Sequence, residues 1–198
     1  MLRKTLLFLS MVIALAARAG DFQPRELTFF VSAGQSPMNR HGHSVFRTVQ
    51  LEAVGRSKLA DRWLKNVDAG VALSYSKVRQ ARSWFGYTYG DPDDHLRAEA
   101  AYFFLRHSWK EGTETQPFLE LGTGPMFSNR RVPAATSRIN FQSQLGFGLR
   151  LHAQSAHPWM IGYRFSHISN GGLEGRNPGV NVHSFLVGTR VRLLAAAR

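Results

Sequence analysis

The 198-residue sequence contains no cysteine. Disulfide bonds and a lipid-modified amino-terminal cysteine are therefore both excluded. If the chain is exported, hydrogen bonding and side-chain packing must stabilise its fold without covalent cross-links.

The sequence also lacks an apolar run long enough for a transmembrane helix. The run from Leu6 to Ala17 has about twelve residues, whereas a spanning helix needs roughly 18 or more. Arg3 and Lys4 precede this run and an Ala-Arg-Ala cleavage pattern ends at Ala19, as in a secretory signal peptide. We predict a cleaved signal peptide over residues 1–19 and a single domain over residues 20–198, with an uncleaved transmembrane anchor as the alternative.

Without a membrane helix, the exported chain can cross a membrane only as a closed β-barrel. Every backbone polar group in lipid needs an internal hydrogen-bond partner, and only helices and closed barrels provide one. Eight strands would leave roughly 22 residues for each strand and its connection, against the ~9 to 11 needed to cross the bilayer. An eight-stranded barrel therefore fits the length.

Acidic residues are scarce, since 13 Asp and Glu stand against 25 Lys and Arg, for a formal net charge of +12. An excess of this size is typical of proteins that meet nucleic acid or an anionic surface. An exported chain rarely meets nucleic acid, whereas the outer leaflet of an outer membrane is dense with lipopolysaccharide phosphates. We therefore expect contact with that surface and no nucleic acid, with a basic surface that serves only solubility as the alternative.

Apolar residues alternate with small or polar residues along most of the sequence. In the clearest segment, residues 139–152, Phe141, Leu145 and Phe147 share one face while polar residues and glycines share the other. Alternation with the apolar side outward is the pattern of a barrel strand in lipid. The fold class we predict is all-β, an eight-stranded antiparallel transmembrane β-barrel of the outer-membrane type. Its predicted strands are residues 26–34, 45–54, 67–78, 96–109, 117–127, 139–152, 159–169 and 180–194.

A few segments fit this pattern less well. Alanines over residues 97–101 permit a helix within the fourth strand, and residues 59–65 permit a helical turn. Trp84, Tyr87 and Tyr89 beside an Asp-Pro turn indicate a strand end at the membrane interface, or else an ordinary buried aromatic cluster. The chain ends in Ala-Ala-Ala-Arg, without the terminal aromatic residue common in outer-membrane barrels.

His41 and His43 lie two residues apart, which could be half of a metal site. No cysteine, third histidine or carboxylate stands nearby at ligand spacing. We interpret both as polar loop residues, and we predict neither a metal nor a cofactor.

Polar side chains end the apolar stripe of the seventh strand. Steps of two from Trp159 lead to His167 and Ser169, so the histidine and the serine share the outward face. On the eighth strand, Asn181 and His183 stand at the polar end of another outward stripe. Because one hairpin joins the two strands, we expect His167, Ser169 and Asn181 to meet on the outer face of the barrel. His183 is a further candidate.

The hairpin also carries a recognisable motif. The run from His167 to Leu173 reads HISNGGL and is followed by Asn177-Pro178-Gly179. This pattern resembles the active-site signature of the PagL-type lipid A 3-O-deacylases, which are eight-stranded outer-membrane β-barrel esterases. The resemblance implies ester hydrolysis, lipid A or lipopolysaccharide as substrate, an outer-membrane location and no cofactor, and it leaves a homodimer open.

An ester hydrolase needs a nucleophile, a base, a group that orients the base, and donors for the oxyanion. Ser169 can be the nucleophile and His167 the base, since residues two apart on one strand face lie roughly 5.5 to 7 Å apart. By the resemblance, the Gly172 amide and the Asn177 side chain form the oxyanion hole, and Asn170 supports its geometry.

The sequence departs from the family pattern at Asn181, where PagL-type enzymes generally have a glutamate as the third member of the triad. Asparagine can orient an imidazole but cannot offset its positive charge. Glu174 is the only nearby carboxylate that could substitute, and a solvated loop residue is the other interpretation of it. We therefore predict that Asn181 or Glu174 orients His167.

These features predict an outer-membrane esterase that hydrolyses the 3-O-linked acyl chain of lipid A by a Ser-His mechanism. Arg164 and Arg176 are candidates to contact lipid A phosphates, although the parity of Arg164 directs it to the lumen. A non-catalytic barrel that binds or stabilises lipopolysaccharide is one alternative, with Asn181 as the sign of lost activity. A soluble, exported, lipocalin-like barrel is another.

Overall fold

The computed structural model describes residues 22–37, 43–57, 67–80, 83–84, 87–88, 93–133, 136–175 and 177–193. The predicted signal peptide, the predicted helical turn at residues 59–65, His41 and Arg176 lie outside these ranges. What the sequence predicts about them therefore stays a prediction.

Eight long strands follow the two-residue alternation of the sequence, and two very short strands lie between the third and fourth of them. The strands are β1 Phe22–Gln35, β2 Val45–Ser57, β3 Val67–Gln80, β4 Ser83–Trp84, β5 Tyr87–Thr88, β6 Asp93–Ser108, β7 Thr115–Ser128, β8 Ile139–Leu151, β9 Trp159–Ser169 and β10 Val180–Leu193.

The long strands pair antiparallel in the order β1-β10-β9-β8-β7-β6-β3-β2, and β2 pairs back to β1. Closure leaves no edge strand with unpaired backbone groups, which lipid would penalise. The predicted fold class, an eight-stranded antiparallel barrel, is confirmed.

Residues 97–101, which the sequence left open to a helix, lie inside β6. Among the described residues, no helix has the length and apolar character needed to cross a membrane. Most strands extend beyond their predicted bounds, but β6 and β8 each end one residue earlier than expected. At the end of β8 the reason is that His152 has a φ of 51°, a left-handed conformation that starts a turn and cannot continue a strand.

The outer face of the barrel is apolar. Phe185 is 75% exposed and Phe147 is 53% exposed, although both are large apolar side chains. A continuous apolar surface of this kind is stable in hydrocarbon and would aggregate in water. Other large apolar residues on this face include Phe29, Val31, Val49, Leu51, Phe103, Leu119, Leu121, Phe141, Leu145, Leu149, Ile161 and Val187.

The lumen is filled by paired charges. Arg106 of β6 bonds Glu52 of β2 at 2.6 Å and also Glu120 of β7, while Arg164 of β9 bonds the Glu120 carboxylate at 2.8 Å. A buried charge is tolerated when a partner of opposite sign and further hydrogen bonds compensate it. The suggestion that Arg164 contacts lipid A phosphates is therefore wrong, because this side chain is 6% exposed and committed to the lumen.

Candidate active site

The β9–β10 hairpin brings the predicted site residues to one face. Asn181 stands directly opposite His167 in the strand pairing, and Val180 stands opposite Ile168. His167 and Asn181 are exposed on the wall, Ile168 points inward and is 2% exposed, and Ser169 is half-buried. The alternation of β9 thus places His167 and Ser169 on the side that faces lipid.

Asn181 orients the His167 ring. Nδ1 of His167 lies 2.7 Å from Oδ1 of Asn181. An amide oxygen can only accept, so Nδ1 carries the proton and donates it to this bond. In the neutral imidazole, Nε2 is then the basic nitrogen and is available to take a proton from a hydroxyl group.

Gly179, the last residue before β10, lies against the same ring. A Cβ atom at this position would lie 2.5 Å from Cε1 and 2.9 Å from Nε2 of His167. Contacts this short do not occur in proteins, so only glycine allows the ring to occupy its position. In the sequence, Gly179 stands out only as part of the Asn-Pro-Gly motif, and that motif is the one signal that could have identified its role.

The loop between the strands is organised by Asn170, which is fully buried. Its backbone N–H donates to Oδ1 of Asn177 at 2.8 Å, and its own Oδ1 accepts from the Gly172 N–H at 2.9 Å. Gly171 and Gly172 have φ values of 63° and 84°, a region in which residues with a Cβ are strained. The two glycines therefore let the chain wrap around the Asn170 side chain.

This network bears on the two expected oxyanion donors. The Gly172 amide is engaged by Asn170, so it can bind an oxyanion only if that bond is released. Asn177 uses its side-chain oxygen to accept from Asn170, which leaves Nδ2 as the atom that can donate.

Glu174 and His183 have other partners. The Glu174 carboxylate lies 3.9 Å from Arg131 in the neighbouring loop, and both side chains are at least half exposed. His183 forms a hydrogen bond with the Tyr163 hydroxyl through Nδ1 and packs edge-on against Phe165 at 5.3 Å between ring centroids. Of the two candidates to orient His167, the structure brings Asn181 to the ring, and the carboxylate of Glu174 pairs elsewhere.

Metal binding has no visible basis in the described part of the chain, where no three His, Asp or Glu side chains cluster as ligands. His43 is within that part and His41 is not, so the absence of a metal at this pair stays a prediction.

A closed barrel with an apolar outer wall and polar groups on its lipid side defines the protein as an outer-membrane β-barrel. The family model for lipid A 3-O-deacylase (PagL) matches residues 56–190, which is more than half of the sequence. The chain belongs to this family, and it is accordingly an outer-membrane carboxylic ester hydrolase with a lipid A 3-O-deacylase role.

Solved structures agree on the fold. The crystal structure of the outer membrane enzyme PagL is 18% identical with a TM-score of 0.55, and the match covers 80% of this chain and 97% of that one. Neisserial surface protein A is 12% identical with a TM-score of 0.58, over 83% of this chain and 94% of that one. Identities this low carry information about the fold alone. No curated protein sequence matches the chain.

Proposed function

We propose that the chain removes the 3-O-linked acyl chain of lipid A through Ser169 as nucleophile and His167 as general base. The observation that carries this proposal is the hydrogen bond between Nδ1 of His167 and Asn181, which leaves the basic Nε2 free on the wall that carries Ser169. A nucleophile and a base on one outward strand face suit a substrate whose acyl chains lie alongside that face.

The reaction has two halves. Oγ of Ser169 attacks the ester carbonyl carbon while Nε2 of His167 accepts the hydroxyl proton. The bond from that carbon to the sugar 3-oxygen then breaks, and the imidazolium returns the proton to this oxygen. A water molecule, deprotonated by the same nitrogen, releases the fatty acid and restores the serine.

The oxyanion formed in each half needs donors. The Asn177 Nδ2 group and the Gly172 N–H supply them, the second after release from Asn170. Each donor aimed at the developing charge typically contributes about 3 kcal/mol of transition-state stabilisation. Glycines at positions 171 and 172 let a bulky lipid approach this backbone closely.

Asn181 determines how strong the base is. It orients His167 but carries no charge to stabilise the imidazolium. In serine proteases, asparagine in place of the triad aspartate lowers turnover about 10⁴-fold because the histidine takes the wrong tautomer. Here Oδ1 of Asn181 fixes the productive tautomer, so only the missing charge lowers the rate. We therefore expect slow turnover.

Mass spectrometry of lipid A from cells that express the protein tests the proposal. The wild type should release one 3-linked hydroxyacyl chain, and Ser169→Ala should leave lipid A unchanged. Ser143→Ala is the matched control, because Ser143 faces outward on β8 directly opposite His167 and bonds Thr123. Loss of activity in Ser143→Ala together with full activity in Ser169→Ala would show that Ser169 is not the nucleophile. An unchanged acyl pattern with the wild type would favour a barrel that only binds lipopolysaccharide.

A further inference from the structure

An open groove of about 690 Å³ runs along the outer wall from β3 to β10, the second strand of the catalytic hairpin. Its floor and sides are apolar and come from β1, β2, β3 and β10. Phe185, on its β10 side, is more exposed than the other large apolar side chains in the described part of the barrel. The remaining apolar residues of the lining are Val31, Ala33, Val49, Tyr75 and Val187.

Two cations also line the groove. Arg47 and Lys77 are exposed and stand directly opposite each other on β2 and β3. Within the described ranges, neither side chain has an ion-pair partner. Cross-strand neighbours have Cβ atoms roughly 5 Å apart, so both side chains can reach one phosphate. Arg97, the exposed neighbour of Lys77 on β6, extends the same row.

The cations lie at the end of the barrel that carries the active hairpin. Arg47 is two residues from the start of β2, and Lys77 is three residues from the end of β3. His167 is two residues from the end of β9, which lies at the same end of the barrel. They therefore face the same leaflet as the hairpin, near its headgroups. Each cation near a membrane surface strengthens the binding of anionic headgroups roughly fivefold.

The groove cations are nevertheless distant from the hairpin. In the strand order β9-β10-β1-β2-β3, Lys77 lies four strands from His167, which is half of the circumference of an eight-stranded barrel. A lipid held by Arg47 and Lys77 therefore has its headgroup away from Ser169.

We propose that this groove binds a second, non-substrate lipid A molecule, with one acyl chain along the apolar wall and one phosphate between Arg47 and Lys77. Lipid A is the expected occupant because the leaflet that faces the hairpin contains the substrate of this family. This proposal depends on the outer-membrane location and on the family, and it does not depend on the Ser-His mechanism.

Native mass spectrometry of the detergent-solubilised full chain tests it, in a Ser169→Ala background that removes the proposed nucleophile. We expect two bound molecules of bisphosphorylated lipid A. In Arg47→Ala/Lys77→Ala, the weaker of the two should bind roughly 10- to 30-fold less tightly, and Lys110→Ala, at the opposite end of the barrel, should match the background. Lipid A without phosphates should bind equally to the double variant and its background.

Other results would overturn the proposal. A single bound lipid A in the background protein would do so, and so would equal loss of phosphorylated and dephosphorylated lipid A. Phosphatidylglycerol that binds as tightly as lipid A would assign the groove to another lipid. If Arg47→Ala/Lys77→Ala in an otherwise wild-type chain lowers kcat/KM but does not change the number of lipid A molecules bound, the cations belong to the substrate site. Far-UV circular dichroism verifies that the double variant is folded.

Discussion

The two ring nitrogens of His167 have different neighbours, and the chemistry follows from that difference. Nδ1 is fixed by Asn181, and the edge formed by Cε1 and Nε2 lies over Gly179. The asparagine defines the tautomer, and the glycine defines the position of the base. Both effects come from single atoms, so single substitutions can separate them.

Asn181→Asp tests the missing charge. The substitution is isosteric, so its carboxylate should accept the same bond from Nδ1 and also stabilise the imidazolium. We expect kcat to rise at least about tenfold, within the ~10⁴ that separates aspartate from asparagine in serine proteases. Steady-state deacylation of purified lipid A measures this. Asn181→Ala should be slower than wild type, and an Asp variant no faster than wild type would argue against a catalytic role for the interaction.

Gly179→Ala tests the position of the ring. The new methyl group would force the His167 ring out of its position, because its Cβ would be 2.5 Å from Cε1. A displacement of about 1 Å in a catalytic group can cost on the order of 100-fold in rate, so we expect kcat to fall roughly 10- to 100-fold. Gly175→Ala in the same loop is the matched control, since no atom lies within 4 Å of its added Cβ. Equal activity of the two variants would contradict the prediction.

At the scale of elements, the loop between β9 and β10 is built around a small network of polar side chains. Asn170 and Asn177 satisfy each other and the backbone between them, so the loop has one defined shape beside an apolar wall. The Oδ1 atom of Asn177 accepts a structural hydrogen bond from the Asn170 N–H, and its Nδ2 group remains able to donate. The two functions of this side chain can therefore be separated chemically.

Asn177→Asp keeps the acceptor for the Asn170 N–H and removes the Nδ2 donor. We expect kcat to fall about 10²- to 10³-fold, the usual cost of one oxyanion donor, with little change in KM or thermal unfolding. Asn177→Ala should lose both the catalytic and the structural function, so its unfolding midpoint should also fall. If Asn177→Asp has wild-type kcat, the oxyanion donor is another group.

Sequence alternation was sufficient to predict the strands because each barrel strand meets lipid on one side and lumen on the other. It even placed Arg164 on the lumen side. It could not predict that Arg106 and Arg164 both pair with Glu52, because β2, β6 and β9 meet only across the lumen of the closed barrel. It also missed that the Gly172 amide bonds Asn170, since that contact depends on two left-handed glycines. The two-residue periodicity predicted only that His167 and Ser169 share a face. The predicted role of the Gly172 amide in the oxyanion hole came from the resemblance to the PagL family.

At the scale of the whole molecule, most of the charge pairs in the lumen connect strands that are not neighbours. Arg106 and Arg164 join Glu52 of β2 and Glu120 of β7 across the interior. Arg164 is on β9, three residues before His167, so the lumen network holds the strand that carries the base. The apolar exterior provides no such cross-links, because lipid competes equally for every apolar contact.

Removal of one lumen charge should destabilise the barrel more than removal of a surface charge. Arg106→Met removes the partner that lies 2.6 Å from Glu52 and leaves Glu52 and Glu120 to share Arg164 alone. One buried negative charge is then uncompensated, which costs about 3 to 5 kcal/mol. We expect a clear fall in the urea midpoint of unfolding in detergent, followed by tryptophan fluorescence. Arg131→Ala, which removes an exposed pair with Glu174, should change stability by less than about 1 kcal/mol.

A second substitution distinguishes charge balance from simple loss of packing. Arg106→Met/Glu52→Gln removes one charge of each sign and leaves Arg164 paired with Glu120 at 2.8 Å. We expect the double variant to recover most of the stability that Arg106→Met loses, because no buried charge then lacks a partner. A double variant as unstable as the single one would show that the shape of the arginine, and not its charge, supports the lumen.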